Sequence, residues 1–499
     1  MLVSEAVAAA LADLGVDTVF GVVGSGNFHV TNALVARGAR FVAARHEGGA
    51  ASMADGWARL AGRPGILSVH QGPGLTNAVT GITEAAKSRT PMVVLAADVA
   101  SSAVRSNFRI DVAALSQSVG AVPARLHSAG FAVDDAVQAY RMAERERRTV
   151  VLALPLDVQA GETAEPSAGL AQASLADKGL HAAPPGPSVT TLAEAILHAR
   201  RPVFIAGRGA RQARARAELE RLADACGALL STSAAAKGLF RGSPWDLDVS
   251  GGFASPLAAK LIRGADLLVG WGSSLNMWTM RHGNLVGPDT IVAQVDAEPD
   301  ALGAHRPIDI GVTGDVVAVA REVGALVGAP PRDGSIGYRS DDLRERIARE
   351  VRWRDVPYED EGDDRRIDPR TLSIALDDLL PAERIVAIDS GNFMGYPSMY
   401  LSVPDDDGFT FTQAYQSVGL GLGSAIGSAI ARPDRLVVAA LGDGGALMGI
   451  SELETAVRLG LPMVIVIYDD EAYGAEVHHF GPDGHPLDVV RFPPVDIAE

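Results

Sequence analysis

The chain has 499 residues, enough for several domains, and 47% of them are hydrophobic against 21% charged, so an extensive core can be buried. A net charge of −17 argues against nucleic acid or an anionic membrane surface as a partner. Cys226 is the sole cysteine, which excludes an internal disulfide and favours a reducing, cytoplasmic location.

In chain order, the sequence indicates three α/β blocks separated by two linkers. The N-terminus predicts an amphipathic first helix and not a signal peptide, because it carries acids and lacks a basic start. No apolar run reaches the ~18 residues of a membrane span. Short Val/Ile/Leu runs alternate with Ala-rich segments, which is typical of doubly wound parallel sheets. Stretches rich in Pro, Gly or charge delimit blocks 1–160, 189–327 and 367–499, with linkers 161–188 and 328–366.

In the first block, three segments of possible chemical interest each follow a predicted strand. GSGNFHV follows the first strand, but His29 stands where a dinucleotide-binding fingerprint needs its third glycine. Glu47 comes just past the next strand and opens a helix of small residues, a position that also suits a plain favourable charge at a helix N-terminus. The turn Gly72–Pro73–Gly74 follows a third strand, so we expect it at the same sheet edge as Glu47.

The middle block opens with RPVFIAGRGA, a strand and glycine turn of the Rossmann type. About 20 residues further on, NAD-binding proteins place an acid that contacts the ribose. Here the chain reads ALLSTSAAAKG and has no acid. An NAD-dependent oxidoreductase is therefore disfavoured.

The last block carries an acid behind each of two predicted strands. Asp443 follows LVVAAL and Asp470 follows MVIVI, and both apolar runs are typical of buried parallel strands. Gly442, Gly444 and Gly445 leave backbone amides bare at a helix N-terminus, which suits a diphosphate. Two carboxylates beside phosphates suit magnesium, which prefers oxygen ligands. Ordinary turns are the alternative, since Asp-Gly is common in turns.

Taken in order, these segments closely resemble the acetolactate synthase-like thiamine diphosphate enzymes, a group that includes pyruvate decarboxylase and benzaldehyde lyase. The resemblance rests on FGVVGSGN, RHEGGAASMADGWAR, GPGLTNAVTGI and the stretch from GDG to Asp469–Asp470, and it covers nearly the whole chain. It implies a pyrimidine-binding, a middle Rossmann-like and a diphosphate-binding domain, each a doubly wound parallel α/β sheet. It also implies a homodimer or homotetramer with active sites between subunits.

The resemblance assigns roles to individual residues. Glu47 is expected to be the catalytic acid, which hydrogen-bonds the pyrimidine ring and needs a carboxyl kept protonated by burial. Asp443 and Asp470 are expected to hold magnesium through their side chains, and Ala472 through its carbonyl. The other expected cofactor contacts are Gly24, Pro73, Asn77, Gly391, Asn392, Val418, Gly442, Gly444, Gly445, Tyr473 and Gly474. The expected substrate contacts are His29, Phe108, Arg109 and Gln117.

The chain departs from the family pattern in several places. Asp470 replaces an Asn, which makes the metal site more negative, and Val418 is shorter than the usual Met, Ile or Leu. Arg109 replaces a Gln, and it suits either a carboxylate-bearing substrate or a solvated surface. The family's FAD-binding segment is replaced by GSSLNMWTMR, so a cofactor-free middle domain is expected over one that binds FAD. Relatives continue further, so the last block is expected to be short.

The leading hypothesis is decarboxylation of a 2-oxo acid followed by carboligation to a second carbonyl compound, as in acetolactate synthase. A plain decarboxylase, a benzaldehyde lyase-type enzyme or a cyclic-dione C–C hydrolase is the alternative, because all of these share the cofactor residues. A non-catalytic or regulatory homologue is the second class of alternative.

Overall fold

The structure, a computed structural model, describes residues 1–165, 186–328 and 337–497. Most of the predicted linker 161–188 lies outside the described residues. Three sheets form in the described chain, one in each predicted block, and they confirm the predicted α/β class with parallel strands. The predicted linker 328–366 is not wholly irregular, because it contains the helix Asp341–Glu350.

The first sheet has the strand order β2-β1-β3-β4-β6-β5, and all its pairings are parallel. The loops that follow β1 and β3 therefore flank the point where the strand order reverses, the usual ligand position in such sheets. Its strands are β1 (Thr18–Gly21), β2 (Arg40–Ala43), β3 (Gly65–Val69), β4 (Met92–Asp98), β5 (Val122–Arg125) and β6 (Thr149–Pro155). Its helices are α1 (Val3–Asp13), α2 (Phe28–Ala36), α3 (Glu47–Ala61), α4 (Pro73–Lys87), α5 (Val112–Ser118), α6 (Ala132–Glu146) and α7 (Leu156–Gln159).

The second sheet has the order β12-β11-β10-β7-β8-β9, again parallel throughout. Its strands are β7 (Pro202–Ala206), β8 (Leu229–Thr232), β9 (Asp246–Val249), β10 (Leu267–Trp271), β11 (Ile291–Asp296) and β12 (Ile310–Thr313). The surrounding α-helices are α8 (Pro187–His198), α9 (Arg208–Gln212), α10 (Arg216–Cys226), α11 (Pro256–Arg263), α12 (Val316–Val327), α13 (Asp341–Glu350) and α14 (Pro369–Leu379). Short 3₁₀ turns span Ala234–Ala236, Gly251–Phe253, Arg281–Gly283, Pro299–Ala301 and Trp353–Asp355.

The glycines behind β7 and β10 bring two segments of the second sheet into backbone contact. The amide of Gly209 donates to the carbonyl of Gly272 at 2.9 Å. A Cβ on Gly209 would lie 2.8 Å from the Cα of Gly272, too close for a side chain. These glycines therefore have a packing role at the position where Rossmann sheets commonly bind ligands.

The third sheet has the order β14-β13-β15-β16, and β15 pairs with β16 in parallel. Its strands are β13 (Arg384–Ile388), β14 (Phe409–Phe411), β15 (Leu436–Gly442) and β16 (Met463–Tyr468). The predicted runs of Leu436–Leu441 and Met463–Ile467 are thus confirmed as strands. The α-helices are α15 (Gly395–Tyr400), α16 (Gly421–Ala431), α17 (Asp443–Met448), α18 (Glu452–Arg458) and α19 (Gly474–Phe480), with 3₁₀ turns at Asn392–Met394 and Asp488–Val490.

The chain folds into two compact units, and one of them contains both the first and the third sheet. In that unit α3 packs against α16, and apolar residues of both helices join one buried cluster. Glycine permits this approach on each helix. A Cβ on Gly56 would overlap the carbonyl oxygen of Ser424, and a Cβ on Gly427 would overlap that of Met53. The N-terminal and C-terminal blocks therefore share a core.

Asp389 follows β13 and ties the start of α16 to the sheet. Its fully buried carboxylate accepts hydrogen bonds from the amides of Gly419 at 2.9 Å and Leu420 at 3.2 Å. Burial raises the pKa of Asp389 to about 6, while these amides act in the opposite direction.

The raised pKa of Asp389 predicts a pH-dependent stability. The folded pKa lies above the unfolded value near 4, so the stabilising contribution of the protonated acid is complete below pH ~4 and is lost as pH rises through about 6. The loss corresponds to about 3 kcal/mol. Urea denaturation from pH 4 to 7 should show this loss in the wild type and not in Asp389→Asn. Exposed Asp13→Asn should behave as the wild type, and equal pH dependence in Asp389→Asn would contradict the assignment.

Candidate active site

Glu47 begins helix α3 just beyond strand β2, at the sheet edge where β1 and β3 also end. Its half-buried carboxylate accepts a hydrogen bond from the side-chain amide of Asn77 at 3.0 Å. His46 caps the helix, because its Nδ1 accepts from the amide of Gly48 at 3.0 Å. A Cβ on Gly74 would lie 3.5 Å from Oε1 of Glu47, so the first turn of α4 lies beside the acid. The surrounding chain therefore orients an acid that remains partly accessible.

A buried carboxylate from the C-terminal block fixes the backbone that precedes Glu47. Glu452 on α18 is 2% exposed and accepts from the amides of Arg45 at 3.1 Å and His46 at 2.9 Å. Gly49 gives it room, because a Cβ there would overlap the carboxylate. The sequence reading missed Glu452, since an acid in the first turn of a helix is ordinarily a favourable charge and nothing more.

The loops behind β1 and β3 are joined by His70, which the sequence reading also missed. Nδ1 of His70 accepts from the amide of Gly26 at 3.1 Å, which places the proton of the neutral ring on Nε2. The ring of Phe108 packs edge-on against this imidazole at 5.3 Å. Gly24 donates to the side chain of Asn27 at 2.8 Å, which closes the loop. The sequence feature that could have identified His70 is its position just before the turn at Gly72, which follows a predicted strand.

The predicted substrate residues are only partly brought together. Phe108 is half-buried. Its backbone lies against the turn after β3, since a Cβ on Gly72 would be 2.7 Å from the carbonyl oxygen of Phe108. His29 on α2, Arg109 before α5 and Gln117 on α5 are exposed. Pro73 is exposed at the start of α4. Among the described residues, no side-chain hydrogen bond joins His29, Arg109 or Gln117 to Glu47.

Asp443 and Asp470 lie behind neighbouring strands, as their positions in the sequence predict. Strand β15 pairs with β16 so that Gly442 faces Tyr468, and Asp443 comes one residue and Asp470 two residues after these strand ends. Burial raises the pKa of Asp443, and the negative charges of Asp470 and Asp469 add to that rise. Burial likewise raises the pKa of Asp470, with a further rise from Asp469. Negative charge concentrated in this way makes the site favourable for a cation.

Further predicted cofactor residues surround these acids. Three glycines are packed tightly: a Cβ on Gly442 would lie 3.1 Å from the Phe393 ring, one on Gly445 would lie 3.2 Å from the Val418 side chain, and one on Gly474 would overlap the Asp470 carboxylate. A Cβ on Gly444 would meet no atom within 4 Å, so there is free space beside this residue at the start of α17. Gly391 and Asn392 lead into the turn that carries Phe393, whose ring stacks on Tyr468 at 5.3 Å.

The segment after Asp470 is held by the chain that follows it. An isolated bridge pairs Ala472 with Arg491, through the amide of Tyr473 and the carbonyl of Glu471. Neither of these hydrogen bonds uses the carbonyl oxygen of Ala472, which is the atom predicted to bind the metal. Tyr473 is exposed.

The residues present fit a diphosphate bound through a divalent cation. Asp443 and Asp470 both have raised pKa values, so a cation would stabilise their ionised forms, and the glycine backbone at the start of α17 would suit an anion. Within the described residues, no three His, Cys, Asp or Glu side chains are grouped to hold a metal by themselves. Backbone, phosphate and water oxygens would have to complete the coordination.

The same described residues contain no helix with the length and apolar character needed to cross a membrane.

Comparisons with known proteins agree with this geometry. The thiamine pyrophosphate enzyme family matches in three parts: the N-terminal TPP binding domain over residues 1–118, the central domain over 189–323 and the C-terminal TPP binding domain over 389–499.

Similar curated proteins have several activities. A probable 2-ketoarginine decarboxylase of Pseudomonas aeruginosa is 28% identical over 489 residues, which is 94% of this chain and 82% of that protein. A sulfoacetaldehyde acetyltransferase of Rhodobacter capsulatus is 29% identical over 501 residues (95% and 83%). The acetolactate synthase large subunit of Parasynechococcus marenigrum is 29% identical over 491 residues (94% and 76%). Because the three domain matches together cover more than half of its length, the chain belongs to the thiamine pyrophosphate enzyme family.

Proposed function

We propose that the protein uses thiamine diphosphate and magnesium to decarboxylate a 2-oxo acid and to join the remaining acyl unit to a second carbonyl compound, as an acetolactate synthase does. The observation that carries the proposal is the pair Asp443 and Asp470 behind the paired strands β15 and β16, next to the glycines that begin α17, in a chain that also presents an oriented acid at Glu47. When bound, the cofactor supplies an electron sink for the carbanion that decarboxylation leaves.

The chain's own residues would hold and orient that cofactor. Asp443, Asp470 and the carbonyl of Ala472 bind the cation, and Gly444 and Gly445 approach the diphosphate with bare backbone. Glu47 holds a proton against the pyrimidine ring. Asn77 orients this carboxyl from one side, while Glu452 fixes the backbone before it. Of these residues, Glu47 is therefore the one proposed to act as the catalytic acid.

The protein should act as a pair of subunits that complete each other's sites. Apolar side chains near the diphosphate residues are exposed, with Val418 at 37%, Met448 at 69% and Tyr473 at 54%. Light scattering of the purified protein should give a mass of two or four chains, and a monomer that binds the cofactor fully would contradict this arrangement.

A decarboxylase without carboligation is the second candidate, and the similarity to the probable 2-ketoarginine decarboxylase favours it. Incubation with pyruvate and with longer 2-oxo acids, followed by mass identification of products, distinguishes the two. Acetolactate from pyruvate supports the carboligase, whereas free aldehyde alone supports the decarboxylase. Release of no carbon dioxide from any 2-oxo acid, with the cofactor bound, would contradict both.

Replacing Glu47 tests the proposed acid. Glu47→Gln keeps the shape and removes the transferable proton, so turnover should fall at least ~100-fold, the usual scale for lost acid–base function. Circular dichroism should show an unchanged fold. Glu146→Gln, on an exposed acid at the end of α6, serves as the control and should keep nearly full turnover. Equal turnover in Glu47→Gln and wild type would refute the assignment.

The metal site has a matched control in the neighbouring acid. Asp443→Asn removes one charged ligand, so thiamine diphosphate affinity in magnesium should fall at least about 10- to 100-fold, the range seen when residues that only support ligands are changed. Asp469→Asn makes the same change of charge at an exposed side chain that accepts from the amide of Glu471 at 3.0 Å. Its affinity should change much less. Titration calorimetry measures both, and equal losses would reduce the role of Asp443 to general charge.

A further inference from the structure

A buried charge cluster joins helices α3 and α4 away from the predicted cofactor residues. Arg59 donates through Nε to Asp55 at 3.0 Å and through a terminal nitrogen to Glu84 at 3.0 Å. The side chains of Asp55 and Glu84 are 1% exposed and that of Arg59 is 11% exposed. Burying a charge costs free energy unless the group is paired and hydrogen-bonded, so we expect a buried cluster of this kind to have a specific role.

The cluster reaches beyond its own helices into the C-terminal block. Arg59 donates to the carbonyl of Phe411 at 2.8 Å. The Glu84 carboxylate accepts from the amide of Tyr415 at 2.7 Å and from that of Ala414 at 3.2 Å. Hydrogen bonds to ionised groups are roughly twice as strong as neutral ones. Two buried charges of the N-terminal block therefore hold the backbone of residues 411–415.

The held segment leads directly to a predicted cofactor residue. We name residues 411–420 the clamped loop, because Asp389 holds its other end through Gly419 and Leu420. Gln416 within it has a φ of +60°, a conformation that side chains other than glycine rarely adopt. The Val418 side chain lies beside Gly445 at the start of the diphosphate turn. A strained loop needs firm anchors to keep one conformation.

We propose that Glu84, held in place by Arg59, is a positioning residue that sets the clamped loop and thereby places Val418 against the bound cofactor. This inference rests on the proposed function. Within the part of the chain that the structure describes, Glu84 hydrogen-bonds to no predicted cofactor residue, and it acts through the amides of Ala414 and Tyr415. The N-terminal helices thus control the shape of the diphosphate half of the site.

The test replaces the carboxylate by an amide of the same shape. In Glu84→Gln one of the two backbone donors would face the side-chain NH₂ group instead of an oxygen, so the loop loses an anchor. Hydrogen exchange of the cofactor-free protein should become faster in peptides covering 412–419, with the rest unchanged. The dissociation constant of thiamine diphosphate in magnesium should rise about tenfold, as for other supporting residues. Asp17→Asn, which breaks the exposed ion pair with Arg63, is the matched control and should change neither measurement.

The outcomes separate positioning from mere stability. Faster exchange confined to the clamped loop, together with weaker cofactor binding, supports the inference. Wild-type exchange and affinity in Glu84→Gln would overturn it, and so would faster exchange spread evenly over the protein. If Glu84→Gln does not fold, Ser88→Ala removes a hydroxyl that donates to Glu84 at 2.8 Å and accepts from Arg59 at 2.6 Å, and it should give the same changes at smaller size. Absence of cofactor binding by the wild type would refute the proposed function, while loop exchange would still decide the role of Glu84.

Discussion

The proposed cofactor site depends on two carboxylates that the fold places at one edge of the third sheet. Parallel pairing of β15 with β16 puts Asp443 and Asp470 at one sheet edge, where burial raises the pKa of both and the charge of Asp470 raises that of Asp443 further. A cation would stabilise the ionised form of both acids, and the glycine backbone at the start of α17 suits an anion, so the arrangement favours a ligand that brings positive and negative charge together. A metal diphosphate does both.

Two buried acids connect the N-terminal block to the C-terminal block through hydrogen bonds to backbone amides. Glu452 fixes the backbone before the acid of α3, and Glu84 holds the loop that leads to α16. The glycines that let α3 and α16 touch keep both connections short. Because each acid accepts from backbone amides, the contacts specify main-chain position and do not depend on the side chains of the partner segment.

Much of the fold and part of the site could be predicted from the sequence, because periodicity and turn residues act locally. The alternation of apolar runs and Ala-rich segments predicted the parallel sheets, and the acids behind two runs predicted the Asp443–Asp470 pair. Glu452 and Glu84 could not be predicted, since their partners lie hundreds of residues away and are backbone groups with no sequence signature. His29 and Arg109 remain predictions, because both are exposed and a bound substrate would decide their roles.

The proposed metal-diphosphate site is tested most directly by titration calorimetry of thiamine diphosphate into the purified wild-type protein. One titration contains magnesium and the other contains a chelator. We expect saturable binding with magnesium that is lost with the chelator, because two carboxylates repel a diphosphate unless a cation lies between them. Equal binding under both conditions, or no binding with magnesium present, would contradict it.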